Sequence, residues 1–316
     1  MGNVLVSLMG KQLSPGFGAV VTVKKSGHIL ETVFCSKRAS GCPIVNLDKS
    51  RYLIKSTGEV RTKIHREKRI DNIRSIKQSH AKLRDLINAN TAEPERCRWV
   101  TMTYAENMTD HKRLYADFEK FIKRLRYRFG SFEYIMAPEP QGRGAWHTHI
   151  ILIFPDKAPF IANDELAKIW GFGFTKIRKL DDLDNIGAYL TAYLQNLPAP
   201  EKQGKKYLKG ARMALYPAGM NLYRASRGVQ RPEVFRTSEA DLAALIADCP
   251  MTYRLTLKVR SGSFGFYVVK RCYNLKRRFS REEKLRLLYG DYGHRRRTSK
   301  TESEAGPAGR LLLSGS

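Results

Sequence analysis

"GRGAWHTHIILIF" spans residues 142–154, and its reading decides the fold. His147 and His149 flank Thr148, and an unbroken apolar run follows them. Such a run, rich in isoleucine and closed by Pro155, is a β-strand signal. A strand sends alternate side chains to opposite faces, so the two imidazoles point the same way, close enough to grip one ion. Imidazoles on an otherwise apolar strand need a reason, because a buried polar group without a partner costs free energy. Upstream, "FEYIMAPEP" (132–140) reads as another strand and "QGRG" as the turn between the two, which makes a hairpin. That hairpin carries Glu139 alongside the histidines. Two imidazoles and a carboxylate, with open positions left over, form a site for a catalytic divalent ion. The register is not set by sequence. A strand-end acid near Arg143 is the competing reading of Glu139, and plain hydrogen-bonded histidines are the competing reading of the pair.

Moving outward from the hairpin, "RCRWVTMTYAE" (96–106) is a strand rich in β-formers. Leu114, Phe118, Phe121, Leu125 and Phe129 form one helical stripe that Gly130 closes. "NDELAKIW" is a short helix capped by Asn163, "FTKIRKL" (174–180) a fourth strand, and residues 181–197 a helix opened by acids and ended before Pro198. The order β-α-β-β-α-β-α predicts an α+β domain of split βαβ, ferredoxin-like topology. Its helices lie on one face of an antiparallel sheet, and the other face is open to a ligand. Residues 1–95 read as a mixed region: short strands in "AVVTVKK" and "RYLIKSTGEVR", with Gly58 in a turn, then a basic helix over about 63–88. The sheet domain occupies 96–197. Residues 198–274 are basic and loop-rich and end in an accessory hairpin around "SGS". Residues 275–316 form a basic, partly disordered tail.

The chain of 316 residues carries a formal charge of 57 − 30 = +27. An enzyme of small metabolites has little use for such a field, whereas polyphosphate partners do, because each neutralised phosphate releases counterions. Nucleic acid leads and an anionic membrane surface follows. No apolar run reaches 18 residues, so no spanning helix is expected, and "MGNVLVSLMGKQL" lacks the pattern of an export signal. Cys35, Cys42, Cys97, Cys249 and Cys272 form no C-x-x-C pair, which fits a reducing cytosol rather than a disulfide framework.

Tyr189 and Tyr193 are four residues apart on the last helix of the domain and share one flank of the stripe Leu183, Ile186, Leu190, Leu194, Leu197. Packing is the ordinary use of such a pair. A tyrosine is also a nucleophile able to hold a DNA phosphate, given a metal-polarised target. "WVTMTY", "EPQGRGAWHTHIIL" and "YLTAYL", in that order, resemble the three motifs of HUH endonucleases, the rolling-circle replication initiators, and in particular the replication-associated proteins related to filamentous-phage gene II protein. The resemblance covers roughly residues 96–197.

The resemblance implies that His147 and His149, with Glu139 as third ligand, hold Mg²⁺ or Mn²⁺. It implies Tyr189 as nucleophile, with Tyr193 available for a second transfer. Many relatives carry a lysine three residues after the first tyrosine, where this chain has Ala192. Its phosphate or metal-water contacts are then absent or come from elsewhere, with Lys176, Arg178 and Arg143 as the candidates. Thr148 departs from the bulky apolar residue usual between the histidines. Implied partners are single-stranded or hairpin origin DNA and a host helicase and polymerase, with no membrane, in the cytoplasm of a bacterial host. No G-x-x-x-x-G-K-[ST] motor motif occurs. A non-catalytic nucleic-acid-binding regulator, a relaxase or transposase of a mobile element, and a phosphodiesterase using water stay open as alternatives.

Overall fold

A computed structural model of the chain describes residues 5–8, 14–37, 43–64, 69–181, 185–194, 213, 215–261 and 264–280. The N-terminal flank supplies β1 (Leu5–Leu8), β2 (Val20–Ser26), β3 (Ile29–Cys35), a small meander of β4 (Ile44–Asn46), β5 (Arg51–Ile54) and β6 (Val60–Thr62), and the helix α1 (Ile73–Asn90). The central segment follows the expected order: β7 (Cys97–Thr103), α2 (His111–Phe129), β8 (Glu133–Pro140), β9 (Trp146–Ile153), α3 (Asn163–Trp170), β10 (Thr175–Lys179) and α4 (Ile186–Leu194). The C-terminal flank adds β11 (Arg224–Ala225), β12 (Glu233–Ser238), α5 (Glu239–Leu245), β13 (Met251–Ser261) and β14 (Phe264–Asn274). The chain is α+β with antiparallel sheets.

The central sheet runs β10-β7-β9-β8-β11, and every adjacent pair is antiparallel. The hairpin strand β9 lies between β7 and β8, which is the split βαβ arrangement. The stripe read from the sequence explains one face. Leu114, Phe118, Phe121 and Leu125 of α2 and Leu166 and Trp170 of α3 are buried against Val100, Met102, Met136, Ile150 and Leu152. Thr148 belongs to this buried face, at 1% exposure. Gly130 ends α2, as expected, with its amide donating to Arg126 O. Asn163 is not the cap of α3. Ala162 holds that position, and Asn163 instead ties α3 to β10, its Oδ1 accepting from Ile177 N at 3.1 Å and its carbonyl from Thr175 Oγ1 at 3.2 Å.

The second face is not left open along its whole length, contrary to expectation. Leu83, Leu86 and Ile87 of α1 and Ile186 and Leu190 of α4 pack on Cys97, Ile135, Ala137 and Ile151. The helix read from about residue 63 begins at Ile73, because Asn72 Oδ1 accepts from Ser75 N at 3.1 Å and starts it there. α4 begins at Ile186 rather than 181. Asn185 Oδ1 accepts from Ala188 N at 2.8 Å, the N-cap pattern, and Asp181 lies outside the helix. Leu183 and Leu197 of the expected stripe lie outside the described residues.

The two flanks meet in a six-stranded sheet, β1-β13-β14-β3-β2-β12, which the sequence reading had divided among short strands, loops and an accessory hairpin. β13 and β14 do form that hairpin, but in the middle of this sheet. β12 and α5 fall where loop was expected. Leu242 of α5 packs on Val21, Val23, Leu30 and Tyr273, and Arg271 of β14 pairs with Glu239. α1 bridges the two sheets. Its Asp85 pairs with Lys24 at 2.5 Å and its Arg84 with Glu31 at 2.6 Å. Cys35, Cys97, Cys249 and Cys272 are free thiols, and Cys42 lies outside the described residues.

On α1, His80 is 3% exposed, and neither ring nitrogen has a hydrogen-bond partner. Burial, helped by the charge of Arg69, pushes its pKa down from 6.5 to about 4. The folded protein keeps this imidazole neutral where the unfolded chain takes up a proton. Stability should therefore fall as pH drops from 6.5 towards about 4, by about 3 kcal/mol in all. Carboxylates held low in the fold, Glu139 and Glu59 among them, act from their ordinary value of 4.5 downward, so the upper part of the window belongs to the histidine. Urea unfolding at stepped pH should show the slope in the wild type and lose it in His80→Leu; an equal slope in both would refute the assignment.

Candidate metal centre

The register of the β8–β9 hairpin settles what the sequence left open. Glu139 lies directly opposite His147, Ala137 opposite His149, and on the other side Thr101 and Thr103 of β7 oppose His149 and His147. Directly paired residues share a face, so the two histidines and Glu139 emerge together. The loop Gln141–Ala145 closes the hairpin with Gln141 N on Ala145 O at 2.7 Å, and Gly144 supplies the positive φ of 91° that the turn needs. Trp146 Nε1 donates to Thr109 O at 2.8 Å, and Tyr216 Oη to Pro138 O at 2.7 Å; these anchor the hairpin from behind.

The donor atoms converge. His147 Nε2 is 3.1 Å from Glu139 Oε2, His149 Nε2 is 3.2 Å from the same oxygen, and the two Nε2 atoms are 3.1 Å apart. Three hydrogen bonds cannot satisfy this triangle. Each neutral imidazole has one N–H, and with that proton on Nε2 it can point along only one edge. One cation does satisfy all three. Adjacent ligands of an octahedral ion with bonds of about 2.1 Å lie about 3.0 Å apart. Glu139, His147 and His149 could therefore hold a metal ion.

Neighbouring side chains prepare the site for a cation. His149 Nδ1 lies 3.2 Å from Thr101 Oγ1. The tautomer protonated at Nδ1 donates to this hydroxyl and leaves the Nε2 lone pair free. The Trp99 ring stacks on His149 with centroids 5.1 Å apart. His147 is held less firmly, since its buried Nδ1 has no hydrogen-bond partner. Burial opposes ionisation of Glu139, but the hydrogen bonds and charges of His147 and His149 outweigh it and hold the carboxyl well below its ordinary range. The acid is thus a carboxylate at neutral pH, the form a cation needs.

Other residues expected at the site fall into two groups. Lys176 pairs with Thr101 and Arg178 with Trp99, so both exposed cations stand on the face of the triad, along the edge strand β10. Arg143 sits in the hairpin loop, exposed, its Nε donating to Gln141 Oε1 at 3.2 Å. α4, which carries Tyr189 and Tyr193, packs through Ile186 and Leu190 on Ala137 and Ile151, two strand positions whose side chains share the triad's face. The side chains of both tyrosines, and that of Ala192, lie outside the described residues. Sequence reasoning missed Thr101, Trp99 and the α1 residues behind α4. Thr101 is one strand away from His149, and only the register of β7 on β9 could have named it.

Residues 97–197 fit the family model of the replication-associated protein ORF2/G2P. The matched segment runs from the first residue of β7 to just beyond α4, so it takes in the whole triad and the tyrosine helix. It is about a third of the chain, and the six-stranded flanking sheet falls outside it. No curated protein matches the chain. Among the described residues, no helix is long and apolar enough to cross a membrane.

Proposed function

We propose that the protein is a replication initiator that nicks one DNA strand at an origin and keeps the broken end as a phosphotyrosine. The observation that carries this reading is the Glu139–His147–His149 triangle, set on the very sheet face that α4 crosses. The similarity over residues 97–197 supports it, and so does the net charge of +27.

In this reading Glu139, His147 and His149 hold a divalent ion. Two imidazoles suit Mn²⁺ at least as well as the harder Mg²⁺. When bound, the ion supplies Lewis acidity that neutralises charge on the scissile phosphate. Lys176, Arg178 and Arg143 pair with the neighbouring phosphates and set the strand's position. Tyr189 attacks the phosphorus. A bond forms from the phenol oxygen to phosphorus, the bond to the 3′ oxygen breaks, the phenol proton passes to solvent, and the leaving oxygen takes up a proton. The products are a 5′-phosphotyrosine and a free 3′-hydroxyl that a polymerase can extend. The ester keeps the bond energy, so attack by a 3′-hydroxyl rejoins strands without ATP, and Tyr193, four residues on in α4, serves a second transfer. A host helicase would open the duplex. Such a protein acts in the bacterial cytoplasm on a phage, plasmid or integrative element.

The test is a denaturing gel. Single strands tiled across the DNA flanking the gene, labelled at the 3′ end, are mixed with protein and Mn²⁺. A labelled protein band should appear, should vanish in EDTA, and should be absent from Tyr189→Phe. If Tyr189→Phe still traps DNA and Tyr193→Phe does not, the tyrosines exchange roles. A wild-type protein that traps nothing across the whole tiled set, in Mn²⁺ or Mg²⁺, removes the nickase reading.

A further inference from the structure

Beside the triad, the edge strand β10 leaves part of the sheet face uncovered by α1 and α4. Phe174 stands at the head of this strip. Its carbonyl accepts from Thr103 N at 2.9 Å, which puts it across β7 from His147, in the row that also holds Thr103 and Glu139. Lys176 and Arg178 follow at alternate positions and so share its face. Phe174 is 63% exposed, whereas Phe172, two residues earlier, packs into the core on Tyr104 and Trp170. The chain between them leaves no room for variation. A Cβ on Gly173 would lie 2.5 Å from both Thr103 O and Ala105 N, so only glycine lets the strand come in this close. An apolar ring is thereby left in solvent, in the row of His147 and Glu139 with only β7 between, and on the same edge as two exposed cations.

An exposed phenyl ring at the head of a row of two cations has an obvious ligand. A single-stranded nucleic acid offers a π-face at every base and a charge at every phosphate, and stacking on an aromatic side chain is tolerant of sequence. A duplex offers no free base face. We propose that Phe174 is a stacking platform for one unpaired base next to the cleaved linkage, with Lys176 and Arg178 taking the phosphates beyond it. This inference rests on the reading that single-stranded DNA lies across this face. It goes beyond that reading by naming the ring that orders a base there and by requiring the bound segment to be unpaired.

The experiment measures affinity for a 3′-labelled single strand in EDTA, where no cutting occurs, with the full chain. Phe174→Ala should weaken binding about ten-fold, and Phe174→Trp should restore it. Affinity for a fully paired duplex of the same sequence should not change. Removing bases one at a time from the strand locates the contact. At one position an abasic site should weaken wild-type binding while leaving Phe174→Ala unaffected, because the stacking partner is already gone. Unchanged single-strand affinity in Phe174→Ala, or an equal loss with duplex, would overturn the platform. The adduct gel reads the parent proposal separately. A Phe174→Ala effect on binding without any wild-type adduct keeps the platform and removes the nickase, and an adduct formed equally well by Phe174→Ala, with unchanged affinity, does the reverse.

Discussion

Replacing His147 with alanine should abolish the rise in melting temperature that Mn²⁺ produces in the wild type, and should lower strand cleavage by about 10²–10³-fold. The expectation follows from the donor triangle. His147 Nε2 supplies one corner, 3.1 Å from each of the other two. An ion that binds only the folded site stabilises the protein by about 2.7 kcal/mol at 100 times its dissociation constant, or roughly 4 °C for a chain of this size. Loss even of a residue that only orients a ligand weakens metal binding by about 10–100-fold, so loss of a ligand should cost at least the upper end. The substitution also takes one hydrogen-bond partner from a carboxylate that is 5% exposed. The metal-free variant should therefore be less stable by about 1–3 kcal/mol. Salt-sensitive binding of single strands should persist, because Lys176, Arg178 and Arg143 are untouched. Melting curves with and without Mn²⁺, run on both proteins, decide the matter. A wild type that gains nothing from Mn²⁺ or Mg²⁺, or a His147→Ala variant that gains as much, would leave the triangle as a buried polar cluster and no more.

Much of that triangle was legible because strands and helices print their periods locally. The alternation around "HTH" names a face, and the stripe from Leu114 to Phe129 names a helix, without reference to anything distant. Glu139 needed one more inference, the hairpin, and the five residues between Pro140 and Trp146 left its register open by a position or two. What the sequence could not show is pairing at long range. β3 joins β14 with Ile29 opposite Asn274 and Cys35 opposite Val268. No local pattern in either segment points to the other, so two flanks that form one sheet were read as separate regions. β12 was missed for a different reason. Val234 and Phe235 are both exposed, at 65% and 39%, on an edge strand, so it lacks the alternation that marks a half-buried strand. α1 was seen as a helix, but its destination was not. Its stripe says only that something apolar covers it. That it covers the triad's side of the sheet, and braces α4 there, depends on side chains that make polar contacts, Asn88 above all.

That brace yields the other large effect. Alanine at Gly187 should destabilise the protein by about 1–3 kcal/mol and slow adduct formation by about 10²-fold. In a helix free of neighbours the same change would stabilise by about 1 kcal/mol, so even the sign is diagnostic. The reason is contact. A Cβ on Gly187 would lie 2.3 Å from Arg84 O and 2.7 Å from Asn88 Oδ1, both on α1. Neither can yield cheaply. Arg84 O is backbone, and Asn88 is 6% exposed and engaged twice, accepting from Gly187 N at 2.7 Å and donating to Asn185 Oδ1 at 2.9 Å. The methyl must therefore push α4 off α1, which breaks the Asn88 bond and shifts the helix by something near 1 Å, two residues before Tyr189. If Tyr189 is the attacking group, as proposed, a displacement of that size is costly because the reacting atoms must stay aligned. The triad is on the hairpin and not on α4, so the Mn²⁺-induced rise in melting temperature should survive in Gly187→Ala, as should single-strand affinity. Loss of adduct rate with metal binding intact would separate this variant from His147→Ala and place the damage on the tyrosine helix. A Gly187→Ala protein as stable and as fast as the wild type would mean that α4 does not dock on α1 through this contact.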